Sequence, residues 1–306
     1  MKEKLRSRAA PPAHYRSVLR PGLFAGEVHW VTGGGSGIGR CVAHELASLG
    51  ATVVLSGRTA DKLEGVAAEI REDGGTAVTR AFDIRDEDAV KAAVAAIVAG
   101  HGRVHGLVNN AGGQFPAPLQ GISKRGFETV VANNLTGGFL MAREVFLQSM
   151  QQHGGAIVNM TADMRNGMPG MGHSGAARAG MANLTMTAAV EWASFGVRVN
   201  AVAPGWIATS GLDTYGDAMK PLIRQLRKHV PLRRLGMEAE VSAAICFLLS
   251  PGAAFITGVS LRIDGGAPLA SALLPAPDEA RSVPYDGFHR AVLPAVLRDD
   301  DDEGDR

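Results

Sequence analysis

Cysteine is nearly absent: Cys41 and Cys246 are the only two in 306 residues. Neither lies in a C-x-x-C or a metal-ligand spacing, which argues against a disulfide scaffold and a cysteine-based metal centre. Both are expected to be reduced, buried, structural thiols on helices, and no metal is expected. Aromatic residues are scarce at 5%, and Tyr15, Tyr215 and Tyr285 are the only tyrosines. Charge of one sign is missing too. The formal net charge is +1, so no bulk field favours nucleic acid. No apolar run reaches the length of a membrane-spanning helix, so no membrane partner is expected. Lys2, Lys4, Arg6 and Arg8 precede no apolar stretch, which argues against a secretory signal. A transit segment and a solvated arm are the alternatives there, and a cytoplasmic location is the expectation. Asp299 to Asp302, with Glu303 and Asp305, form a charge run expected to stay disordered.

Glycine is what the chain has in excess: 39 residues, about twice the ordinary share. The richest stretch is Thr32-Gly33-Gly34-Gly35-Ser36-Gly37-Ile38-Gly39. It follows a strand-like Val28-His29-Trp30-Val31 and precedes an amphipathic helical pattern from Arg40 to Leu46. Such a turn lets backbone N–H groups approach a pyrophosphate, and the helix dipole adds to the attraction. Asn109-Asn110-Ala111-Gly112 follows a later strand and completes the case for a nicotinamide dinucleotide site.

Further strand-like runs are Ala51–Leu55, Thr76–Ala81, Val104–Val108, Ala156–Met160, Val197–Val202 and Val259–Ile263. Helical patterns lie at 61–72, 86–100, 134–152, 175–195 and 238–250. This alternation predicts an α/β fold, a single Rossmann-type, doubly wound parallel sheet covered on both faces. The expected organisation is an N-terminal arm over 1–25, a dinucleotide-binding domain over 26–266, and a C-terminal extension with an acidic tail over 267–306. The extension is expected to pack locally or on a neighbouring subunit.

The second strand ends Ser56-Gly57-Arg58. An acid at this place binds the ribose 2′-hydroxyl in NAD sites. Its absence, with Arg58 available for a 2′-phosphate, predicts NADP(H). Stacking on adenine or solvation is the alternative for Arg58. Asp83, followed by Ile84, is a plausible adenine contact or a helix cap, and Asp86 is the better cap of the next helix.

These motifs resemble the short-chain dehydrogenase/reductase family. The matches are Thr32-Gly33-x-x-x-Gly37-x-Gly39, Asn109 to Gly112, Asn134-Leu135-Thr136-Gly137, Asn200 through Pro204-Gly205, and Asp264-Gly265-Gly266. They cover about residues 26–266. His173 to Gly180, Asn110 to Phe115 and the opening Tyr15 to Gly26 are similar to the peroxisomal trans-2-enoyl-CoA reductases of that family. The resemblance implies cofactor contacts from Thr32, Gly33, Gly35, Ser36, Gly37, Ile38, Gly39, Arg58, Asp83, Ile84, Asn110, Ala111, Gly112, Arg178, Pro204, Gly205, Ile207 and Thr209. It also implies a homo-oligomer, most often a tetramer, pairing the helices predicted at 134–152 and 175–195. Ala176, Ala177, Ala179, Gly180 and Ala182 permit close helix approach there; packing on the chain's own sheet is the alternative.

The family's Asn-Ser-Tyr-Lys tetrad is broken. Only Asn134 matches; Thr161 falls at the Ser position, Ser174 at the Tyr position and Arg178 at the Lys position. A one-residue slip in the 161–174 loop brings His173 or Ala162 into play. Reducing a ketone needs an acid for the forming alkoxide, and a serine hydroxyl is too weak unaided. Reducing a C=C bond conjugated to a thioester develops an enolate that hydrogen-bond donors stabilise. Thr161 and Ser174 are expected to be such donors, with Arg178 holding the nicotinamide ribose and supplying positive potential. Asp163 and His173 are candidate acids, each with a bland alternative as a loop residue. The expected function is NADP(H)-dependent reduction of a 2-enoyl thioester, a small acyl substrate. A nucleotide-binding pseudoenzyme, and a carbonyl reductase or alcohol dehydrogenase, are the alternatives. Met160, Met164, Met168, Met171, Trp206, Tyr215 and Met219 suit an acyl or isoprenoid chain or, equally, ordinary packing. Arg165, Lys220, Arg224, Arg227 and Lys228 suit CoA phosphates or a solvated helix.

Overall fold

The computed structural model describes residues 13–164, 166–271 and 275–298. Its elements run β1 (Val28–Thr32), α1 (Gly37–Ser48), β2 (Thr52–Gly57), α2 (Ala60–Glu72), β3 (Thr76–Ala81), α3 (Glu87–His101) and β4 (Gly106–Asn109). Then follow α4 (Lys124–Val131), α5 (Gly137–Val145), α6 (Gln151–His153), β5 (Gly155–Met160), α7 (Gly172–Glu191) and β6 (Val197–Pro204). The chain closes with α8 (Lys220–Gln225), α9 (Glu238–Leu249), β7 (Ser260–Ile263) and α10 (Ala295–Arg298). The seven strands form one sheet in the order β3-β2-β1-β4-β5-β6-β7, and every pairing is parallel. This is the doubly wound Rossmann-type sheet, and the chain reverses its direction of growth between β1 and β4. Ligands bind at the carboxyl ends of strands at such a switch point.

The apolar strand residues divide by period two between the two faces. Val31, Val53, Leu55, Val158 and Val202 join one core with α1, α2 and α9. Trp30, Val54, Ile157 and Val199 join the other, with α3 and α5. Trp30 is fully buried and satisfies its indole N–H on Ser56 Oγ at 2.9 Å. Asp86, as expected, caps α3 by accepting from Ala89 N at 3.1 Å.

The long helix expected at 134–152 is interrupted. One-turn π-helices over Ala132–Thr136 and Phe146–Met150 flank α5. Each widens the ladder locally, and such turns cluster at functional sites; the first carries Asn134. Helices α4, α8 and α10 escaped the periodicity because each is short.

The arm and residues 285–290 of the extension pack on α1, while α10 packs on α8. Phe24 is fully buried and Tyr15 nearly so. The buried carboxylate of Glu45 accepts from Tyr15 Oη at 2.9 Å, Ser17 Oγ at 2.7 Å and Ser242 Oγ at 2.5 Å. Burial pushes this carboxyl above its usual range. Cys41 and Cys246 are free thiols with no exposed surface, as expected. From the extension, Phe288 packs on Tyr15 and under Arg40, and Arg16 N donates to Gly287 O at 2.9 Å. Residues 1–12 of the expected arm, Arg165 and the acidic tail from Asp299 lie outside the described residues.

The extension is anchored by a charged cluster. Arg290 Nη2 bonds Asp73 Oδ1 at 2.7 Å, and His289 Nε2 lies 2.8 Å from Asp73 Oδ2. His44 lies 3.3 Å from that oxygen through Nδ1 and 3.1 Å from Glu69 Oε2 through Nε2. Among the described residues, His44, Asp73 and His289 are the group that could offer three donors to a metal ion. The guanidinium of Arg290 already supplies the cation they share. Burial, aided by Arg40, drives His44 from its ordinary 6.5 to about 4. A base depressed in the fold stays neutral there while the unfolded chain takes a proton, so stability is full above pH 6.5 and is lost as pH falls toward 4. The loss is about 3 kcal/mol for a shift of this size. Thermal unfolding from pH 7 to 4 is expected to show it, and His44→Gln is expected to flatten it; an unchanged slope in the variant would disprove the assignment.

Candidate functional site

The glycine turn is locked from both sides. Thr32 Oγ1 accepts from Asn110 N and Ala111 N, each at 3.0 Å, and Asn110 Nδ2 donates to Thr32 O at 3.0 Å and Gly33 O at 3.2 Å. Gly33 has φ +66°, and a Cβ there would meet Ala111 Cα at 2.9 Å. A Cβ on Gly39 would overlap the carbonyl of Gly33 and come within 2.5 Å of Asn110 Nδ2. Ser36 makes no side-chain capping bond, and the first turn of α1 holds no acid. The amide groups of that turn are therefore left for an anion.

A cleft of about 190 Å³ runs from this turn. Gly33, Gly35 and Ser36 form its floor, Arg58 and Lys62 one wall, Asp83 and Ile84 another, and Ala111 and Gly112 its inner end. The lining has two cations near the end of β2 and one acid. That acid, Asp83, is held by Arg85 at 2.9 Å through Nε and 2.5 Å through Nη2, which keeps its carboxyl below the usual range. Asp83 lines the cleft and does not cap α3. Lys62 was missed from the sequence, although its place four residues after Arg58, on the first turns of α2, was a usable signal.

Gly112 also borders a second cleft of about 450 Å³, whose wall includes Ile38, Asn110, Gly113, Thr161, Ala162, Arg178, Pro204, Gly205, Ile207 and Thr209. Asn134 is buried beside it. Its Oδ1 accepts from Gly113 N at 2.9 Å and its Nδ2 donates to Gly113 O at 3.0 Å, so its amide holds the 112–113 loop. Arg178 is buried on α7. Nη1 donates to Met160 O at 2.5 Å, and Nε has no partner. Burial pushes the guanidinium down to about 10. A Cβ built on Gly112 would stand 2.8 Å from Arg178 Nη2, so this nitrogen lies where the clefts meet. An anionic or hydroxyl-rich ligand is what an unpaired buried cation calls for. The two joined clefts, the anion-ready turn and this cation fit a nicotinamide dinucleotide.

The expected hydroxyl donors are not free. Thr161 Oγ1 donates to Val202 O at 2.8 Å, turning into the sheet, with Ser260 Oγ at 3.4 Å. This corrects the donor role expected of Thr161, because its one hydroxyl hydrogen is satisfied by strand β6. Ala162 lines the cleft beside it. Ser174 is fully buried and donates to Gln114 Oε1 at 2.5 Å, so it too holds a neighbour. Gln114 Nε2 in turn donates to Tyr215 Oη at 3.2 Å. His173 accepts from Ser174 N at 2.8 Å and meets Phe115 edge to face. Asp163 is not among the described lining residues; its backbone N–H donates to Pro204 O at 3.2 Å. Gln114 had no expected role, and Tyr215 was expected only as apolar lining.

Met160, Trp206 and Tyr215 line this cleft with Leu212, while Met219 packs with Ile223, Leu226 and Val296. Lys220 pairs with Asp217 at 2.8 Å, and Arg224 Nε donates to Val296 O at 3.2 Å. Ala177 is buried on the chain's own core, while Ala176 and Ala179 are exposed.

A family model described as enoyl-(acyl carrier protein) reductase matches residues 33–268. The chain is 35% identical over 261 residues to a peroxisomal 2,4-dienoyl-CoA reductase of Danio rerio, covering 84% of this chain and 87% of that protein. It is 37% identical over 242 residues to a probable 2,4-dienoyl-CoA reductase of Bacillus subtilis, covering 77% and 94%. Among solved structures, a citronellol catabolism dehydrogenase of Pseudomonas aeruginosa is 64% identical, with a TM-score of 0.75 over 83% of this chain and 99% of that one.

Proposed function

Because the chain belongs to the short-chain dehydrogenase/reductase family, whose members use nicotinamide cofactors, we propose that it is an NADP(H)-dependent reductase of the C=C bond of a 2-enoyl thioester. The observation that carries the reading is Arg178, a buried cation with an orphan Nε at the cleft wall. An enolate developing on a thioester oxygen would give that charge its counterion. When bound, the nicotinamide supplies a hydride. The chain's own residues do the rest: Asn134 holds the 112–113 loop, Thr209 and Ile207 shape the floor, and Met160, Trp206 and Leu212 exclude water from an apolar chain. The name of the Pseudomonas relative points to a branched isoprenoid chain. It also favours a second reading, dehydrogenation of an isoprenoid alcohol.

The test is a panel. NADPH oxidation with decenoyl-CoA and a β-methyl-branched enoyl-CoA is expected, with little from acetoacetyl-CoA. NADP+ reduction by citronellol alone would favour the second reading. Silence with tight NADPH binding would leave a nucleotide-binding pseudoenzyme. The same reading includes a homo-oligomer, a tetramer, to which Phe139 of α5, Leu147 of the following π turn and Met186 and Val190 of α7 offer exposed apolar side chains; light scattering of a monomer would refute it.

Arg58→Ala is expected to weaken NADPH by about ten- to a hundredfold, the worth of a charge-assisted guanidinium–phosphate contact. NADH should barely change. Fluorescence titration of both cofactors checks this, and equal weakening of both would remove the 2′-phosphate from Arg58.

A further inference from the structure

The family's phenol position on α7 holds a serine, yet a phenol reaches the same cleft from elsewhere. Tyr215 stands at the end of the segment that follows Pro204-Gly205 and lines the cleft with Arg178. The other two tyrosines are committed: Tyr15 donates to buried Glu45, and Tyr285 donates to Arg16 O. Thr161 and Ser174 have each spent their hydroxyl hydrogen.

The bond directions around Gln114 are what matter. Gln114 Oε1 faces Ser174, whose Oγ donates to it at 2.5 Å. The N–H end therefore faces Tyr215 and donates to the phenolic oxygen. Among the described residues, the bond to Gln114 is one that the Tyr215 oxygen accepts, which leaves the phenolic hydrogen unspent. That hydrogen is available to whatever lies in the cleft.

We propose that Tyr215 is the proton donor of this site, oriented by Gln114, which buried Ser174 holds in place. The acceptor rests on the enoyl-thioester reading. The step it serves is collapse of the enolate left by hydride addition at Cβ: the Tyr215 O–H bond breaks, a C–H bond forms at Cα, and the enolate oxygen returns to a thioester carbonyl. The phenolate regains its proton from water at the open mouth of the cleft. Ser174 and Gln114 are positioning residues; Tyr215 is the one that touches substrate.

Tyr215→Phe is expected to lower kcat on decenoyl-CoA about a hundredfold. KM and the NADPH Kd should stay within about twofold. The solvent deuterium isotope effect on kcat should rise, because proton uptake from water becomes the slow step; a merely structural loss would not shift that balance. Gln114→Leu should give a smaller fall, about tenfold, with the same isotope signature. A second readout needs no turnover. With NADP+ present, nitration of Tyr215 by tetranitromethane, located by mass spectrometry, should be suppressed by decanoyl-CoA. Full kcat with an unchanged isotope effect in Tyr215→Phe overturns the donor assignment alone, and so does nitration indifferent to decanoyl-CoA in a parent protein that turns over decenoyl-CoA. Turnover of acetoacetyl-CoA but not decenoyl-CoA, still lost in Tyr215→Phe, supports the donor and overturns the enoyl acceptor. No turnover of either by the parent protein overturns both.

Discussion

Gly39→Ala is expected to abolish measurable cofactor binding, a loss of at least about a thousandfold. One methyl group there overlaps the Gly33 carbonyl and crowds Asn110 Nδ2. Neither neighbour is the far end of a flexible chain. The carbonyl belongs to the turn itself, and the amide is tied to Thr32 O and Gly33 O. Relief requires the 33–39 turn to separate from the 109–112 segment, which together form the floor and inner end of the first cleft. The control is Gly65, in the middle of α2, where an added Cβ meets nothing within 4 Å. Gly65→Ala should stabilise the fold by roughly 0.5–1 kcal/mol, because glycine is a poor helix former. Calorimetric titration with NADPH and thermal melts of both variants decide the matter. A Gly39→Ala protein that still binds NADPH tightly would mean the turn yields in a way its contacts do not suggest.

Arg178→Met should separate stability from activity. The guanidinium is buried, makes one bond to Met160 O and has no carboxylate partner in the described structure. Its depression from 12.5 to about 10 is the signature of that burial. Shifts of this size amount to about 3 kcal/mol against the charged form. Methionine fills a similar volume without charge, at the cost of about 1 kcal/mol for the abandoned carbonyl. The melting temperature should therefore rise, by an amount corresponding to about 2 kcal/mol. Turnover should fall about a thousandfold if the cation faces developing negative charge. A variant that is both less stable and fully active would show that Arg178 serves the fold instead. Residues that oppose stability and are retained are the ones to suspect of function.

What was legible in the chain was what local chemistry dictates. The Thr32 to Gly39 turn declared itself because only glycine tolerates such approach. The sheet declared itself because β2, β4 and β5 carry apolar residues on both faces. The end of β2 showed its missing acid for the same reason, being a property of one strand. The reactive end was not legible in this way. Asn134 depends on a π turn, and nothing in the 3.6-residue period announces an inserted residue. The register of the family tetrad assigned donor roles to Thr161 and Ser174, but a hydroxyl's direction depends on its partner. For Ser174 that partner is Gln114, 60 residues away, and for Gln114 it is Tyr215, 101 residues further on. Only the closed fold brings such separations together.

The seam between arm and extension has a consequence for how the molecule assembles. Arg16 bonds Asp286 O across 270 residues of chain, and Arg40 bonds Arg290 O across 250. Closing loops of this length carries a high entropic cost, returned only when α1 and α2 already stand on the sheet to receive Phe288 and Arg290. The seam is thus a late event, an inspection of finished work. Sub-global opening should run in the reverse order, with arm and extension parting from the sheet as one unit before the core exchanges its amide protons.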